Sequence, residues 1–458
     1  MPRPPAKWYN ILRPRLRAAG LTKNDRDWHE FINIYRDRQR QTELHGDRKE
    51  VDMPENGVKG KPCDFLYAAL VAALLIFGIV MVFSASSYSA LRYYDDSYYF
   101  FKREMAFAAV GLFFLVAAAF APMKLIYRMT PPIALASLGL LLALYTPLAS
   151  ARHGAARWIE VGGFTVMPGE IAKFAAILFV ARFLSREPDR IRSLFKGVIP
   201  LLAYCGLNFL LIYKQPSLST AITLAGIVLG VMFIAGMNLM YVGAALGAAA
   251  MGVFYMIMSD KDGYHFQRIT GFLDPFAQSS DEGWQVAHSL LGFGAGGVLG
   301  VGLGNSIQKA LYLPEGHNDF ILSIIGEELG FLGCLLLLAV YLALIFRGAW
   351  IAIKAPDRFS MLVAAGITVM FALQVIMNVL VVTAWMPPTG VVLPFISYGG
   401  NSLILYMAMA GVMLNISRRI KDEPAAGEIP EEGMERARKA PERLTVPPRK
   451  LRVVGGKR

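Results

Sequence analysis

Charged residues are scarce in this sequence, and their distribution excludes a soluble protein. They make up 17% of the 458 residues, whereas soluble globular chains contain about 25%. No Asp, Glu, Lys or Arg occurs between Lys214 and Asp260, or between Arg358 and Arg418. Each uncharged tract is long enough for two membrane spans of about 20 residues with a connecting turn. The chain is therefore predicted to cross a membrane several times.

The sequence also lacks a cysteine pattern, a signal peptide and the context of a nucleotide-binding motif. The three cysteines are scattered and odd in number, which excludes a disulfide framework or a cysteine metal site. The segment MPRPPAKWYNILRPRLRAAG lacks the apolar core of a signal peptide, so we expect the first span to direct insertion. Gly292, Gly294 and Gly297 match G-x-G-x-x-G, but no strand precedes them and no P-loop lysine follows. Nucleotide binding is therefore rejected.

Long apolar segments predict an all-α fold, a polytopic membrane bundle of about ten transmembrane helices. An even number of spans places both chain ends on one side of the membrane. A large extracytoplasmic loop is predicted between helices 7 and 8. The predicted spans are 65–86, 105–122, 131–149, 170–186, 197–213, 218–236, 240–258, 319–346, 361–384 and 401–417.

Lysine and arginine concentrate on one side of the predicted bundle. They are abundant in the first 62 residues, near 124–128, 186–196 and 347–358, and at the start of the tail. Because cytoplasmic loops carry an excess of these residues, both termini are predicted to be cytoplasmic. The net charge of +12 then reflects membrane topology and not nucleic-acid binding.

The chain divides into three predicted regions: a cytoplasmic basic arm (1–62), a transmembrane domain (63–420) and a disordered cytoplasmic tail (421–458). An apolar stripe at helical spacing lies within the arm. A helix with this stripe would either lie flat on the anionic inner leaflet or pack against the cytoplasmic loops. The stripe consists of Trp28, Phe31, Ile32 and Tyr35.

The loop of about residues 259–318 is far longer than an ordinary connection, which marks it as functional or disordered. Its second half, WQVAHSLLGFGAGGVLGVGLGNS, is apolar and rich in glycine. Such a segment is too flexible for a plain span and too apolar for a free loop. We therefore expect a re-entrant or interfacial segment that is covered by protein or lines a water-filled cavity.

The stretch LYLPEGHNDFILSIIGEELG, residues 311–330, places acids where an apolar helix should begin. In a helix starting near Asp319, that residue, Gly326, Gly330 and Gly333 would share a face within about 40°. Asp319 is interpreted either as a helix N-cap or as a carboxylate at a cavity mouth that acts as a base. His317 nearby supports a polar cluster.

Glu327 and Glu328 follow deeper in the same predicted helix. A charge at membrane depth costs about 2.5–3.5 kcal/mol unless it is paired or hydrated. Both glutamates must therefore face partners or a cavity, and we interpret them as structural or pairing groups.

A second cluster occurs in GAARWIEVGGFTVMPGEIAKFAAIL, residues 154–178. Arg157 and Trp158 lie on an outer loop, and Glu170 and Lys173 stand one turn apart at the start of the fourth span. An intrahelical ion pair and an interfacial aromatic would explain them without function. Alternatively, the cations bind an anion such as a phosphate diester. Further outward cations favour the second interpretation; they are Arg268 and Lys309.

Five segments in order resemble the SEDS family of bacterial cell-wall proteins (FtsW, RodA, SpoVE). They are GAARWIEVGGFTVMPGEIAKF, QPSLSTA, RITGFLDPF, GLGNSIQKALYLPEGHNDFILSIIGEELG and PPTGVVLPFISYGGNSL, within about residues 64–420. Within these segments, SIQKALYLPEGHNDF and GVVLPFISYGGNSL are more similar to FtsW and SpoVE than to RodA. One departure is Ser217, because many members carry an acid after QP; a required carboxylate there is in doubt.

The resemblance implies a ten-span peptidoglycan glycosyltransferase that polymerises lipid II on the outer face. It also implies a class B penicillin-binding protein as the transpeptidase partner, in division or sporulation. Asp319 corresponds to the aspartate regarded as essential in the family, and Trp158 and Lys173 to residues of the substrate cavity. The substrate-binding candidates are Trp158, Arg157, Lys173, Glu170, Arg268, Lys309 and His317.

These lines combine into an expected mechanism. Asp319 takes the proton of the acceptor GlcNAc 4-hydroxyl while lipid pyrophosphate leaves the donor, its charge offset by the cations. A divalent cation such as Mg²⁺ is compatible with this chemistry, although no ligand set is evident. A lipid II flippase and a non-catalytic division scaffold are the alternative functions. Septal localisation in the cytoplasmic membrane is expected.

Overall fold

The computed structural model describes residues 62–420, with gaps at 148, 153–154, 162–163, 216, 246, 248–250, 253–271, 277–282, 311 and 315. The helices with described bounds are α1 (Phe65–Tyr94), α2 (Tyr99–Phe120), α3 (Met123–Ala143), α4 (Pro168–Arg186), α5 (Ile199–Tyr213), α6 (Leu218–Ile234), α7 (Trp284–Gly296), α8 (Ile321–Lys354), α9 (Arg358–Val382) and α10 (Gly400–Ser417). The basic arm, the tail and Arg268 lie outside the described residues.

The prediction of an all-α membrane bundle is confirmed. Seven segments within the described part are long and apolar enough to cross a membrane: α1, α2, α3, Leu194–Tyr213, α8, α9 and α10. The apolar helix α6 is shorter. The predicted span 240–258 lies largely outside the described residues, so the total of ten spans stays a prediction.

The interior of the bundle is formed by α4, α9 and α10. Two thirds of the most apolar window of α9 and of α10 is buried, against 22–33% in the other five spans. Twelve of the 19 residues of α4 are buried, including the charged Glu170 and Lys173. A side chain at Gly411 of α10 would meet the carbonyl oxygen of Leu115 at 2.2 Å, so glycine allows the close packing of α10 on α2.

Helix α3 begins earlier than predicted, at Met123 rather than near 131, and contains Pro131 and Pro132. Pro131 has no N–H and leaves the carbonyl of Tyr127, one turn earlier, without its helical donor. The guanidinium of Arg182 on α4 donates to this carbonyl and lies 4.3 Å from the Tyr127 ring centre. The arginine within α4 thus compensates the proline within α3.

A small antiparallel sheet lies between α3 and α4, where the sequence had indicated only an outer loop. Its strands are β1 (Ala149–Arg152), β2 (Ala155–Val161) and β3 (Phe164–Val166), in the order β1-β2-β3. Trp158 is opposite Ser150, and Ile159 is opposite Val166. Trp158 is thus held in register with β1, whereas Arg157 falls at an irregularity of this pairing, between the partners of Ser150 and Ala151.

Helix α8 is interrupted at Gly330, whose φ of 68° and ψ of −169° are not helical. The glycine-rich segment 297–302 inserts at this break. Its N–H groups at Val301 and Gly302 donate to the carbonyls of Glu327 and Glu328, and its carbonyl at Gly297 accepts from Phe331. The backbone groups that the break leaves open are thereby satisfied without water, as a membrane interior requires.

This break corrects one expectation. The face predicted for Asp319, Gly326, Gly330 and Gly333 does not form, because Asp319 precedes α8 and the helix is broken at Gly330. Close backbone approach explains the glycines instead: a side chain at Gly330 would meet the Gly300 nitrogen at 2.3 Å. The glycine-rich segment packs along α8 and is not a free loop.

Both ends of the described chain meet at one end of the bundle. The backbone N–H of Asp64 donates to the Ser417 hydroxyl at 3.1 Å, and its carboxylate pairs with Arg347 at 2.7 Å. This arrangement agrees with an even number of spans. Helix α1, about 45 Å long from its 30 residues, extends from this end to the opposite one.

Candidate active site

A cavity of about 860 Å³ opens at the end of the bundle opposite Asp64. It is lined by the end of α1, the start of α2, strands β2 and β3, and the loops before α8 and α10. The glycine-rich loop Gly399–Gly400 and the first turn of α10 form part of its wall. Segments that are distant in the sequence thus converge on one pocket.

Asp319 lines this cavity and is half-buried. It lies in a turn, and the N-cap position of α8 is occupied by Phe320, without a side-chain cap. The N-cap interpretation is therefore wrong. The side-chain amide of Asn378 donates to the Asp319 carbonyl at 2.7 Å and to the Val391 carbonyl at 2.8 Å. The aspartate is fixed through its backbone to α9 and to the loop before α10.

Gly390 lies beside the Asp319 carboxylate and has a φ of 71°. A side chain at Gly390 would come within 3.8 Å of the carboxylate oxygen. The glycine therefore both allows the turn and keeps the space next to the acid open to the cavity.

His317 forms an aromatic contact that closes the cavity beside Asp319. Its ring centre is 4.5 Å from that of Phe100 and 5.5 Å from that of Tyr398. The Tyr398 N–H donates to the His317 carbonyl at 2.9 Å. Burial lowers the pKa of His317 to about 4, so the ring is neutral at pH 7. His317 therefore contributes shape and hydrogen bonding, not positive charge.

In the described part of the chain, three cations line the cavity together with Asp319. Arg157 donates to the Gln215 carbonyl at 3.3 Å, and Lys309 pairs with Glu328 at 2.9 Å. The third, Arg103, is exposed, donates to the Tyr99 hydroxyl at 2.8 Å and lies 5.5 Å from that ring's centre.

Arg103 was not singled out from the sequence. The available signal was a Lys-Arg pair at the start of α2, on the side that the orientation rule predicts to be outside and poor in basic residues. Trp158 also lines the cavity, so the structure brings Asp319, Arg157, Trp158, Lys309 and His317 to one pocket. Their functional roles remain predictions.

Glu170 and Lys173 lie outside the cavity lining, contrary to the expected contact with substrate. Their side chains form an ion pair at 2.7 Å, with only 6% and 3% exposed. The Tyr406 hydroxyl donates to Glu170 at 3.2 Å. The intrahelical pair considered from the sequence is therefore present, but it is buried between α4 and α10.

Glu327 and Glu328 are both fully buried and bind protein groups. Glu327 accepts from the N–H groups of Ile307 and Gln308, at 2.9 and 3.2 Å, and from the Ser306 hydroxyl. Glu328 accepts from the Ser84 hydroxyl at 2.7 Å and from Lys309. Both acids hold the loop that leads to Asp319, as expected for structural or pairing groups.

Among the cavity-lining residues that the structure describes, Asp319 is the single acid. Within the described residues, no group of three or more His, Cys, Asp and Glu side chains is arranged to hold a metal ion. A divalent cation next to Asp319 would therefore need most of its oxygen ligands from water or from substrate phosphates.

The fold and this site were compared with known proteins. The family model described as cell cycle protein, for FtsW, RodA and SpoVE, matches residues 64–422. The probable peptidoglycan glycosyltransferase FtsW of Trichlorobacter lovleyi is 39% identical over 80% of this chain and 96% of its own. The stage V sporulation protein E of Bacillus subtilis is 38% identical over 78% and 97%.

Two solved structures have the same architecture. A chain from a peptidoglycan synthase complex, described as coordinating polymerization and crosslinking, has a TM-score of 0.66 and 26% identity, over 79% of this chain and 99% of that one. The rod shape determining protein RodA of Thermus thermophilus has a TM-score of 0.58 and 26% identity, over 79% and 98%.

Proposed function

The chain belongs to the FtsW, RodA and SpoVE family of cell cycle proteins, and we propose that it is a peptidoglycan glycosyltransferase that polymerises lipid II. The observation that supports this most directly is the half-buried carboxylate of Asp319 in a cavity with three cations. An acid that accepts a proton and cations that attract pyrophosphate are what this transfer requires.

The proposed reaction joins two lipid-linked saccharides at this cavity. Asp319 accepts the proton of the acceptor GlcNAc 4-hydroxyl, and that oxygen forms a bond to the anomeric carbon of the donor MurNAc with inversion. The bond from this carbon to the phosphate oxygen breaks, and lipid pyrophosphate leaves with the electron pair. One carboxylate suffices, because pyrophosphate leaves without a general acid, unlike the sugar alcohol released by glycosidases.

The developing negative charge is offset by cations at the cavity wall. Arg157 and Arg103 take this role, in place of the buried Lys173. Lys309 also lines the cavity, but it is paired with Glu328 and its side chain is only 10% exposed. Guanidinium groups suit phosphate because they donate in a planar fork. Trp158 presents an aromatic surface to the sugars or lipid. A divalent cation, if required, would bind chiefly to the pyrophosphate next to Asp319.

The proposal includes orientation and partners. The cavity would face outward and both termini inward, as the basic residues indicate. A class B penicillin-binding protein would crosslink the strands, by analogy with the similar synthase complex. Septal use in division and use in sporulation are both compatible with the relatives.

The test uses full-length protein purified in detergent with lipid II, alone and with a class B penicillin-binding protein. We expect glycan strands from the wild type and none from Asp319→Ala, while the unfolding temperature remains unchanged. Lipid translocation without strands, unaffected in Asp319→Ala, would instead indicate a flippase. Absence of both activities with the partner present, and normal growth of an Asp319→Asn strain, would indicate a scaffold.

A further inference from the structure

A chain of buried polar groups lies directly behind the cavity wall. Tyr406 of α10 accepts from the Gln374 side-chain amide at 2.8 Å and donates to Glu170 at 3.2 Å. The other Glu170 oxygen pairs with Lys173 at 2.7 Å. Ser402, one turn before Tyr406 on the same helix, lines the cavity. The chain of polar groups therefore lies about one helical turn below the cavity surface and ends at the buried ion pair.

The donors and acceptors of this chain determine the direction of the Tyr406 hydroxyl. The Gln374 N–H group points at the phenol oxygen, so the single phenol proton is available for Glu170. A buried ion pair is costly unless additional hydrogen bonds satisfy its remaining lone pairs. Tyr406 supplies such a bond to Glu170 from a different helix.

This bond also connects two parts of the cavity wall. Thr165 and Met167, immediately before α4, line the cavity, and so do Asn401 and Ser402 at the start of α10. Glu170 lies in the first turn of α4. The hydrogen bond from Tyr406 thus joins the two helices a few residues below the surface where substrate would bind.

We propose that Tyr406 is a positioning residue that acts through the Glu170–Lys173 pair to keep the starts of α4 and α10 in the geometry required for transfer. This inference rests on the proposed glycosyltransferase function. It also gives the buried pair a role that does not require contact with pyrophosphate. Tyr406 itself would not touch substrate.

The hydroxyl can be tested separately from the ring. The Tyr406 ring packs against Phe371 and Phe395, with ring centres 6.0 Å apart in each case, and Tyr406→Phe preserves this packing. A matched control is Tyr341→Phe. Tyr341 is also fully buried, and its hydroxyl donates to the Pro394 carbonyl instead of the ion pair.

The kinetic experiment measures lipid II polymerisation by full-length Tyr406→Phe, Glu170→Gln and the double variant. We expect Tyr406→Phe to lower kcat about five- to tenfold with KM within about twofold, since contacting residues couple by about 0.5–3 kcal/mol. When Glu170→Gln is already present, adding Tyr406→Phe should lower kcat by less than about twofold. An undiminished loss in that background, or an unchanged kcat in Tyr406→Phe, overturns the inference.

A second measurement does not depend on activity. Spin labels at Thr165→Cys and Asn401→Cys, with the three native cysteines replaced, report the distance between the two helix starts. Tyr406→Phe should broaden the distance distribution, and Tyr341→Phe should not. An unchanged distribution in Tyr406→Phe rejects the positioning role, even where Glu170→Gln is inactive. If wild-type protein makes no strands, the proposed function fails, and this distance measurement still decides whether Tyr406 positions the helices.

Discussion

Three acids within one stretch of ten residues, Asp319, Glu327 and Glu328, have opposite environments. Asp319 precedes α8 and faces a cavity, with its backbone fixed by Asn378. Glu327 and Glu328 lie one to two turns into α8, fully buried, with their oxygens bound to donors from the preceding loop and from α1. Asp319 can meet a substrate hydroxyl in the cavity, whereas the two buried glutamates cannot. The difference supports the proposal that Asp319 is the reactive acid and that the glutamates are anchors.

The comparison is tested most strongly by matched amide substitutions. Asp319→Asn should lower polymerisation about 10²–10⁴-fold, the usual contribution of a general base, without changing stability. Glu327→Gln should destabilise the protein by about 1–3 kcal/mol, because the new amide presents N–H groups to existing donors. Strand synthesis and thermal unfolding are measured for both variants. If Asp319→Asn and Glu327→Gln changed strand synthesis and stability equally, the proposed roles of Asp319 as base and Glu327 as anchor would be contradicted.

The Lys309–Glu328 pair tests whether Glu328 acts as a structural anchor. Glu328→Leu should cost about 3–5 kcal/mol of stability, because it leaves a nearly buried lysine without its carboxylate. The double variant Lys309→Met/Glu328→Leu should recover most of that loss, since no charge remains unpaired. Glu187→Gln, at a half-exposed pair with Arg190, is the control and should change stability by less than about 0.5 kcal/mol. A double variant as unstable as Glu328→Leu would contradict this account.

The smallest expected effect concerns His317, next to Asp319. Its pKa of about 4 in the folded protein lies below the usual value of about 6.5. The unfolded chain therefore binds more protons between these values, and stability present above pH 6.5 is lost as the pH falls toward 4. By pH 5.5 the loss should be about 1 kcal/mol. His317→Phe should show a smaller decrease; an identical pH profile would show that the ring titrates normally.

Much of the fold follows from the sequence because apolar length and charge placement are local signals. The predicted spans of α4, α5, α6, α9 and α10 lie within three residues of the observed bounds for this reason, whereas α2 begins six residues before its predicted start. The clustering of Arg157, Trp158, His317, Lys309 and Asp319 was inferred from their shared side of the membrane and from the family resemblance. Their common cavity is consistent with that inference.

The remaining features depend on partners that are distant in the sequence. Nothing near Pro131 indicates that Arg182 will satisfy the carbonyl the proline leaves open. Nothing near Gly330 indicates that residues 297–302 will insert at a break in α8. The burial of Lys173 similarly depends on Tyr406 and α10 lying beside it. Such pairings are tertiary, and a pattern within one helix cannot reveal them.

The interruption of α8 has a mechanical consequence for the site. A continuous helix would transmit a tilt of its far end to the residues beside the cavity. Here the nine residues 321–329 are separated at Gly330 from the remaining 24 residues of α8 and are hydrogen-bonded sideways to the glycine-rich segment. The alignment of the aspartate therefore depends on the segments that pack around this short piece and not on the long remainder of the helix.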